Sequence, residues 1–166
     1  MRTAARCARH VFVTLEEIVD QNDSAEAVSA RMAIEDLARR YAHGIDGRNW
    51  EQVDSCFASD ASVRGTTFEG PYPQYMASLR GAVEKYRTTM HFFGNQLTEV
   101  DGDTGHCVTY GIAYHLGSGT GDDFVIGVRY LDDVARSGAR WLIRKRTVQG
   151  VWRQPLGGDV LELATP

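Results

Sequence analysis

After residue 89 the chain consists of four runs rich in β-branched and aromatic residues. The runs are MHFFGNQLTEV, HCVTYGIAYHL, DFVIGVRYLDDVA and RWLIRKRTVQGVW, and they are separated by DGDTG, GSGTGD and RSGA. Each separator contains glycine, which predicts turns between consecutive antiparallel strands. This succession restricts the fold more than any other feature, because a single curved antiparallel sheet must bury one of its faces.

The first half of the chain predicts the helices that cover this face. From Ser29 to Asp46 apolar residues recur at the spacing of an amphipathic helix, namely at Ile34, Leu37, Ala38, Tyr41 and Ile45. Asn49 can cap a second short helix, WEQVDSCF, and PYPQYMASLRGAVEKYR is typical of a third helix opened by prolines. Between these two helices, ASVRGTTFEG predicts a short extended segment. Helices followed by a meander predict an α+β fold, a cone-shaped barrel in which the sheet wraps around about three helices and an apolar pocket.

Length and composition predict one domain and exclude several classes of partner. We place the domain at residues 26–155, between an N-terminal extension (1–25, with one short helix around 14–20) and a C-terminal tail (156–166). A net charge of −4 argues against a nucleic-acid partner, and the apolar run near residues 11–15 is too short to cross a membrane. Three widely spaced cysteines without a C-x-x-C pair favour a reducing, cytoplasmic location over a disulfide framework.

Alternation along the predicted strands assigns side chains to the two faces of the sheet. In HCVTYGIAYHL the face of His115 carries small residues (Cys107, Thr109, Gly111 and Ala113), which can line a pocket. The other face carries Tyr110, Ile112 and Tyr114, which need a cover and therefore predict a homo-oligomer, either a dimer or a trimer. In MHFFGNQL the same alternation places His91 on one face with Phe93, Asn95 and Leu97.

The stretch YAHGIDGRNW ends the first predicted helix with Asp46, where a carboxylate faces the negative end of the helix dipole. The structural interpretation is a turn in which Gly47 adopts the left-handed conformation. The functional interpretation is that Asp46 orients the imidazole of His91, which then acts as a general base near neutral pH. For His91 the alternative is a histidine with its hydrogen bonds satisfied in the core or at an interface.

The order of these motifs resembles a known family. A helix ending in I-D-G-R-N-W, then C-F-A-S-D-A-S-V, a proline-opened helix, T-M-H-F-F-G-N and a final W-L-I-R-K-R strand are similar to the SnoaL-like branch of the nuclear transport factor 2-like superfamily. The resemblance covers roughly residues 29–153. It implies an α+β cone with an enclosed apolar pocket, often in homo-oligomers, used by cyclases, dehydratases, isomerases and dehydrohalogenases that need no cofactor.

Two kinds of enzyme in this superfamily match the chain residue by residue. In the resemblance to hexachlorocyclohexane dehydrochlorinase, Asp46, His91 and Arg146 fall on the dyad aspartate, the base and the catalytic arginine, whereas the active-site lysine is Tyr41 here. In the resemblance to scytalone dehydratase, the dyad matches again and His115 falls close to a second catalytic histidine. The substrate-binding tyrosines of scytalone dehydratase are not matched, so the substrate pattern of that enzyme is only half present.

Residues and resemblance together predict a cofactor-independent lyase, a dehydratase or another β-eliminating enzyme, for a small and largely apolar organic substrate. His91, assisted by Asp46, takes a proton from carbon, and Arg146 or a protonated His115 stabilises the negative charge that develops. We expect further residues to shape the pocket, although aromatic residues at such spacing also occur as plain core. They are Tyr41, Trp50, Tyr72, Tyr75, Phe93 and Asn95.

Other functions remain open at the level of sequence. A polyketide cyclase or a ketosteroid-type isomerase would use the same base to form an enolate. A non-catalytic small-molecule binder, or the accessory subunit of a ring-hydroxylating oxygenase, would not need Asp46 and His91 to touch. The alternative interpretation of Arg146 is a surface cation without a functional role, within the run R-K-R. A metal site built from Asp46, His91 and His115 is not expected, because no paired spacing such as H-x-x-x-H supports it.

Overall fold

The computed structural model describes residues 24–157, which form an α+β fold with a curved, unclosed six-stranded sheet. The helices are α1 (Ala25–Asp46), α2 (Trp50–Asp54) and α3 (Tyr72–Val83). The strands are β1 (Phe57–Arg64), β2 (Glu69–Pro71), β3 (Thr88–Asp101), β4 (Thr104–Leu116), β5 (Phe124–Ser137) and β6 (Arg140–Pro155). The predicted α+β class is confirmed. The short helix predicted around 14–20 and nearly all of the two predicted terminal segments lie outside the described residues.

The helices begin where side chains can cap them. Ser24 accepts a hydrogen bond from the N–H of Ala27 at 3.1 Å, so α1 begins earlier than the predicted start. Asn49 caps α2 as predicted, accepting from the N–H of Gln52 at 3.1 Å. The predicted apolar face of α1 is buried against the sheet, and it comprises Ile34, Leu37, Ala38, Tyr41 and Ile45.

The sheet has the strand order β2-β1-β6-β5-β4-β3. The three predicted hairpins, β3–β4, β4–β5 and β5–β6, are all antiparallel and are confirmed. The sheet is not wholly antiparallel, however, because β1 pairs with β6 in parallel. β1 precedes α3 and the whole meander, so it adds to the free edge of β6 without a hairpin.

A β-bulge in β3 changes which residues share the face of His91. Asn95 has φ of 46° and is skipped by the pairing with β4, which resumes at Gln96. Since one extra residue reverses the alternation, the predicted face is correct for Phe93 and wrong beyond it. Leu97 is 66% exposed on the outside, and Asn95 is exposed there too.

The predicted faces of β4 are confirmed. Cys107, Thr109 and Ala113 are buried under the helices. Tyr110, Ile112 and Tyr114 lie on the outer face, where they are 46%, 37% and 37% exposed. Tyr110 and Ile112 line an apolar groove of about 350 Å³ whose other large apolar side chains are Phe92, Val128, Val151 and Trp152. Within residues 24–157 no helix is both long and apolar enough to span a membrane.

We expect this outer face to hold two or three copies of the chain together, because it exposes contiguous apolar side chains. Ile112→Lys should therefore lower the solution mass toward that of a monomer, as measured by light scattering at micromolar concentration. Met32→Lys is the matched control, since Met32 is 62% exposed on α1. A monomeric mass for the unaltered protein would contradict the expectation.

Candidate active site

The end of α1 and the start of β3 meet at Asp46 and His91. Oδ1 of Asp46 lies 2.7 Å from Nδ1 of His91, and Oδ2 accepts the backbone N–H of His91 at 2.8 Å. The hydroxyl of Thr89 donates to Oδ1 at 3.0 Å. The side chain of His91 is only 6% exposed. The carboxylate thus holds one ring nitrogen, which leaves Nε2 as the nitrogen available for proton transfer.

These donors also set the charge of Asp46. Burial alone would raise the pKa of Asp46, but the hydrogen bonds from the side chain and backbone of His91, together with that from Thr89, outweigh burial and lower it. Asp46 is therefore a carboxylate at neutral pH. The three donors also compensate for its unfavourable place at the C-terminal end of a helix.

Arg48 holds the turn that aims Asp46. The left-handed residue of this turn is Arg48, with φ of 54°, and not Gly47, whose φ is −83°, so that prediction is wrong. The guanidinium of Arg48 donates to the carbonyl of Ile45 at 2.7 Å, to the hydroxyl of Thr89 at 2.8 Å and to the carbonyl of Tyr86 at 3.0 Å. A left-handed non-glycine residue is strained, and these bonds offset the strain.

A cavity of about 530 Å³ opens in front of His91 and lies within the usual size range for a small organic ligand. His115 also lines it. Most of the remaining wall is aromatic or aliphatic, including Tyr41, Phe68, Tyr75, Tyr86, Ala113, Phe124, Ile126, Val128, Tyr130 and Val148.

His115 lies beside His91, with a ring-centroid distance of 5.8 Å, and stacks on Phe124 at 4.4 Å. Burial lowers the pKa of His115 to about 4, and the electrostatic effect of His91 acts in the same direction. His115 is therefore neutral at pH 7. A neutral His115 does not favour the predicted role of a protonated group that stabilises negative charge, whereas its predicted position in the pocket is found.

Three buried tyrosines supply neutral hydroxyl groups to the cavity. The hydroxyls of Tyr41 and Tyr75 are 3.3 Å apart, and Tyr130 packs against Tyr41 at a ring-centroid distance of 5.9 Å. Burial raises the pKa of all three phenols above the ordinary value. They can consequently donate hydrogen bonds to a ligand without ionising.

Arg146 is completely buried, so the alternative of a surface cation is wrong. Its guanidinium binds the carboxylate of Asp132 through two hydrogen bonds of 2.7 Å. Its Cζ lies 4.4 Å from the ring centroid of Tyr41 and 4.7 Å from that of Tyr130. Arg146 does not line the cavity with His91. It sits behind the tyrosines, where its charge acts on them at close range.

Of the other residues predicted to shape the pocket, two line the cavity and four do not. Those that line the cavity are Tyr41 and Tyr75. Phe93 packs with its ring centroid 5.9 Å from that of His91 but is not part of the wall. Trp50 lies under the guanidinium of Arg80, Tyr72 is buried in the core, and Asn95 is on the outer face.

Sequence reasoning missed Arg48, Thr89, Tyr130 and Asp132. Thr89 could have been found, because it precedes His91 by two residues on the same face of a strand. The contacts of the other three depend on packing between distant segments. In the part of the chain that the structure describes, no group of three or more His, Cys, Asp or Glu side chains is arranged to hold a metal ion.

Comparisons with known proteins identify relatives of this chain. The family profile described as SnoaL-like domain matches residues 26–147. An uncharacterised protein of Mycobacterium tuberculosis is 27% identical over 127 residues, which cover 74% of this chain and 86% of that protein.

Solved structures share the fold. A scytalone dehydratase candidate from Novosphingobium aromaticivorans has a TM-score of 0.71 at 19% identity, covering 80% of this chain and 91% of that one. Hexachlorocyclohexane dehydrochlorinase LinA-type3 from Novosphingobium barchaimii has a TM-score of 0.70 at 21% identity. The match covers 84% of this chain and 97% of that one.

The low pKa of His115 predicts a pH dependence of stability. The pKa is about 4 in the folded protein against about 6.5 in an unfolded chain, so between these values the unfolded state binds a proton that the folded state does not. The free energy of unfolding should therefore fall as the pH falls from about 6.5 to 4. His115→Phe should flatten the dependence in this window, as measured by urea denaturation at several pH values.

His106→Phe is the matched control, because His106 is exposed. Protonation of Asp46 should also lower the free energy of unfolding, but only at more acidic pH, because the pKa of Asp46 is lowered. An identical pH dependence in His115→Phe and the unaltered protein would contradict the assignment of a neutral, buried His115.

Proposed function

This chain belongs to the SnoaL-like family, and we propose that it is a cofactor-independent lyase-type enzyme for a small, largely apolar organic substrate. The observation that carries the proposal is the 2.7 Å contact between Asp46 and His91, whose side chain lines the cavity. The enzymatic names of structural neighbours, a dehydratase candidate and a dehydrochlorinase, support a lyase-type role.

The proposed reaction is a β-elimination. Nε2 of His91 takes a proton from a carbon beside an electron-withdrawing group, and the electron pair of the broken C–H bond forms the new double bond. The leaving group departs from the neighbouring carbon with its bonding pair, either as halide or, on receiving the proton that His91 has taken from carbon, as water. The Asp46 carboxylate stabilises the imidazolium that forms, which is the role of the carboxylate in comparable dyads.

The tyrosine hydroxyls are the proposed partners of the developing negative charge. Tyr41 and Tyr75 hydrogen-bond to each other, so one hydroxyl polarises the other, and Arg146 stands behind the ring of Tyr41. A neutral phenol can donate to an enolate oxygen or to a leaving group in a site from which water is excluded. Arg146 therefore acts in this proposal through the tyrosines, without touching the substrate.

We expect His91→Ala and Asp46→Asn each to lower turnover by about 10²- to 10⁴-fold, the usual contribution of a general base. Turnover is measured by mass spectrometry with a panel of small apolar alcohols, halides and ketones incubated in D₂O. Loss of water or hydrogen halide indicates elimination. Deuterium uptake without that loss indicates the isomerase or cyclase alternative, which uses the same base.

The surface pair His106 and Asp133 offers a matched control, because Nδ1 of His106 lies 2.9 Å from Asp133 on an exposed part of the sheet. His106→Ala should leave turnover unchanged. Full turnover in His91→Ala would exclude His91 as the base. The absence of any conversion by the unaltered protein would favour the non-catalytic binder or accessory subunit.

A further inference from the structure

The wall of the cavity carries positive charges and no negative charge among the described residues. Its charged side chains are Lys85 and Arg153, and neither forms an ion pair within residues 24–157. Asp46 stands behind His91 and does not line the cavity. Because the whole chain has a net charge of −4, this local excess of cations runs against the overall sign.

Arg153 is connected to the proposed base through a row of rings in contact. Its Cζ lies 4.0 Å from the ring centroid of Phe124, which stacks on His115 at 4.4 Å, and His115 is 5.8 Å from His91. Arg153 and Lys85 are exposed, whereas the side chain of His91 is nearly buried. The two cations therefore mark the open end of the cavity, and His91 lies at its depth.

Two carboxylates of the β4–β5 loop lie outside the cavity wall and form no ion pair with Lys85 or Arg153 within the described residues. Asp123 accepts the backbone N–H groups of Gly117 and Ser118 at 2.7 and 2.8 Å, within the β4–β5 loop. Asp122 accepts the hydroxyl of Thr120 at 2.7 Å in the same loop. Both carboxylates are thus engaged by their own loop, and neither belongs to the cavity wall.

We propose that the mouth of the cavity is a subsite for a carboxylate, so that the substrate is an organic acid with an apolar body. Its body would lie along Phe124 and His115 toward His91, and its carboxylate would be held by Arg153 and Lys85. A guanidinium stacked on an aromatic ring keeps its planar donors in one orientation and suits a carboxylate. The inference rests on the proposed function for the identity of the cavity as the substrate site.

The test uses two probes of one shape, 2-naphthoate and its neutral amide, 2-naphthamide, titrated by calorimetry into the full chain. The unaltered protein should bind naphthoate about five- to tenfold more tightly than the amide. Arg153→Gln should weaken naphthoate by about threefold to fivefold and leave the amide unchanged, as expected for a partly exposed charge pair. Rising salt should weaken only naphthoate.

Arg129→Gln is the matched control, because the guanidinium of Arg129 also stacks on an aromatic ring, with Cζ 5.6 Å from the centroid of Tyr110 on the outer face of the sheet. It should change neither affinity. Imidazole signals of His91 and His115 in nuclear magnetic resonance spectra should shift with naphthoate, whereas those of the remote His106 should not.

Equal affinities for the two probes, a loss of naphthoate binding in Arg129→Gln, or no binding of either probe at millimolar concentration would overturn the subsite. Binding requires no proton transfer, so this result is separate from the proposed function. A preference for naphthoate combined with full turnover in His91→Ala would retain the subsite and exclude the base.

Discussion

The hydrogen bonds accepted by one carboxylate, that of Asp46, join the two halves of this fold. They link the C-terminal end of α1 to the first long strand through Thr89 and through both the ring and the backbone of His91. A carboxylate at the end of a helix is unfavourable by itself, and three donors reverse that preference. The same bonds that dock the helix on the sheet orient the imidazole toward the cavity, so the site and the fold share one interaction.

A second buried charge pair supports the other side of the cavity. Asp132 and Arg146 are direct cross-strand neighbours in β5 and β6, and both side chains are buried. The pair is bidentate, and the aromatic rings of Tyr41, Phe57 and Tyr130 surround the guanidinium. Buried charges need such satisfaction, because desolvation is costly. The cation thereby stands close to the tyrosines without being open to a ligand.

Local patterns predicted the parts of the structure that depend on local chemistry. The three hairpins follow from glycine turns between β-rich runs, and the buried face of α1 follows from its periodicity. The bulge at Asn95 could not be read from MHFFGNQL, because one skipped residue depends on the pairing with β4. Likewise, the resemblance drew attention to Arg146, but its partner Asp132 is decided by the register between two strands.

The ionisation of the site depends on packing even more strongly. The position of His115 near His91 follows from a resemblance, yet its lowered pKa comes from burial, which no spacing reveals. The two cations at the open end of the cavity likewise come from distant segments. Lys85 belongs to the α3–β3 connection, and Arg153 lies near the end of β6. The proposed function therefore depends on which groups surround Asp46 and His91, and these groups come from segments far apart in sequence.

The tautomer of His91 tests the central claim most directly. If Asp46 holds the ring as a base, ¹⁵N nuclear magnetic resonance of the neutral imidazole will show the proton on Nδ1 and an unprotonated Nε2, and Asp46→Asn will disturb this preference. A proton on Nε2 in the unaltered protein would contradict the claim, because the nitrogen facing the cavity could then not accept a proton.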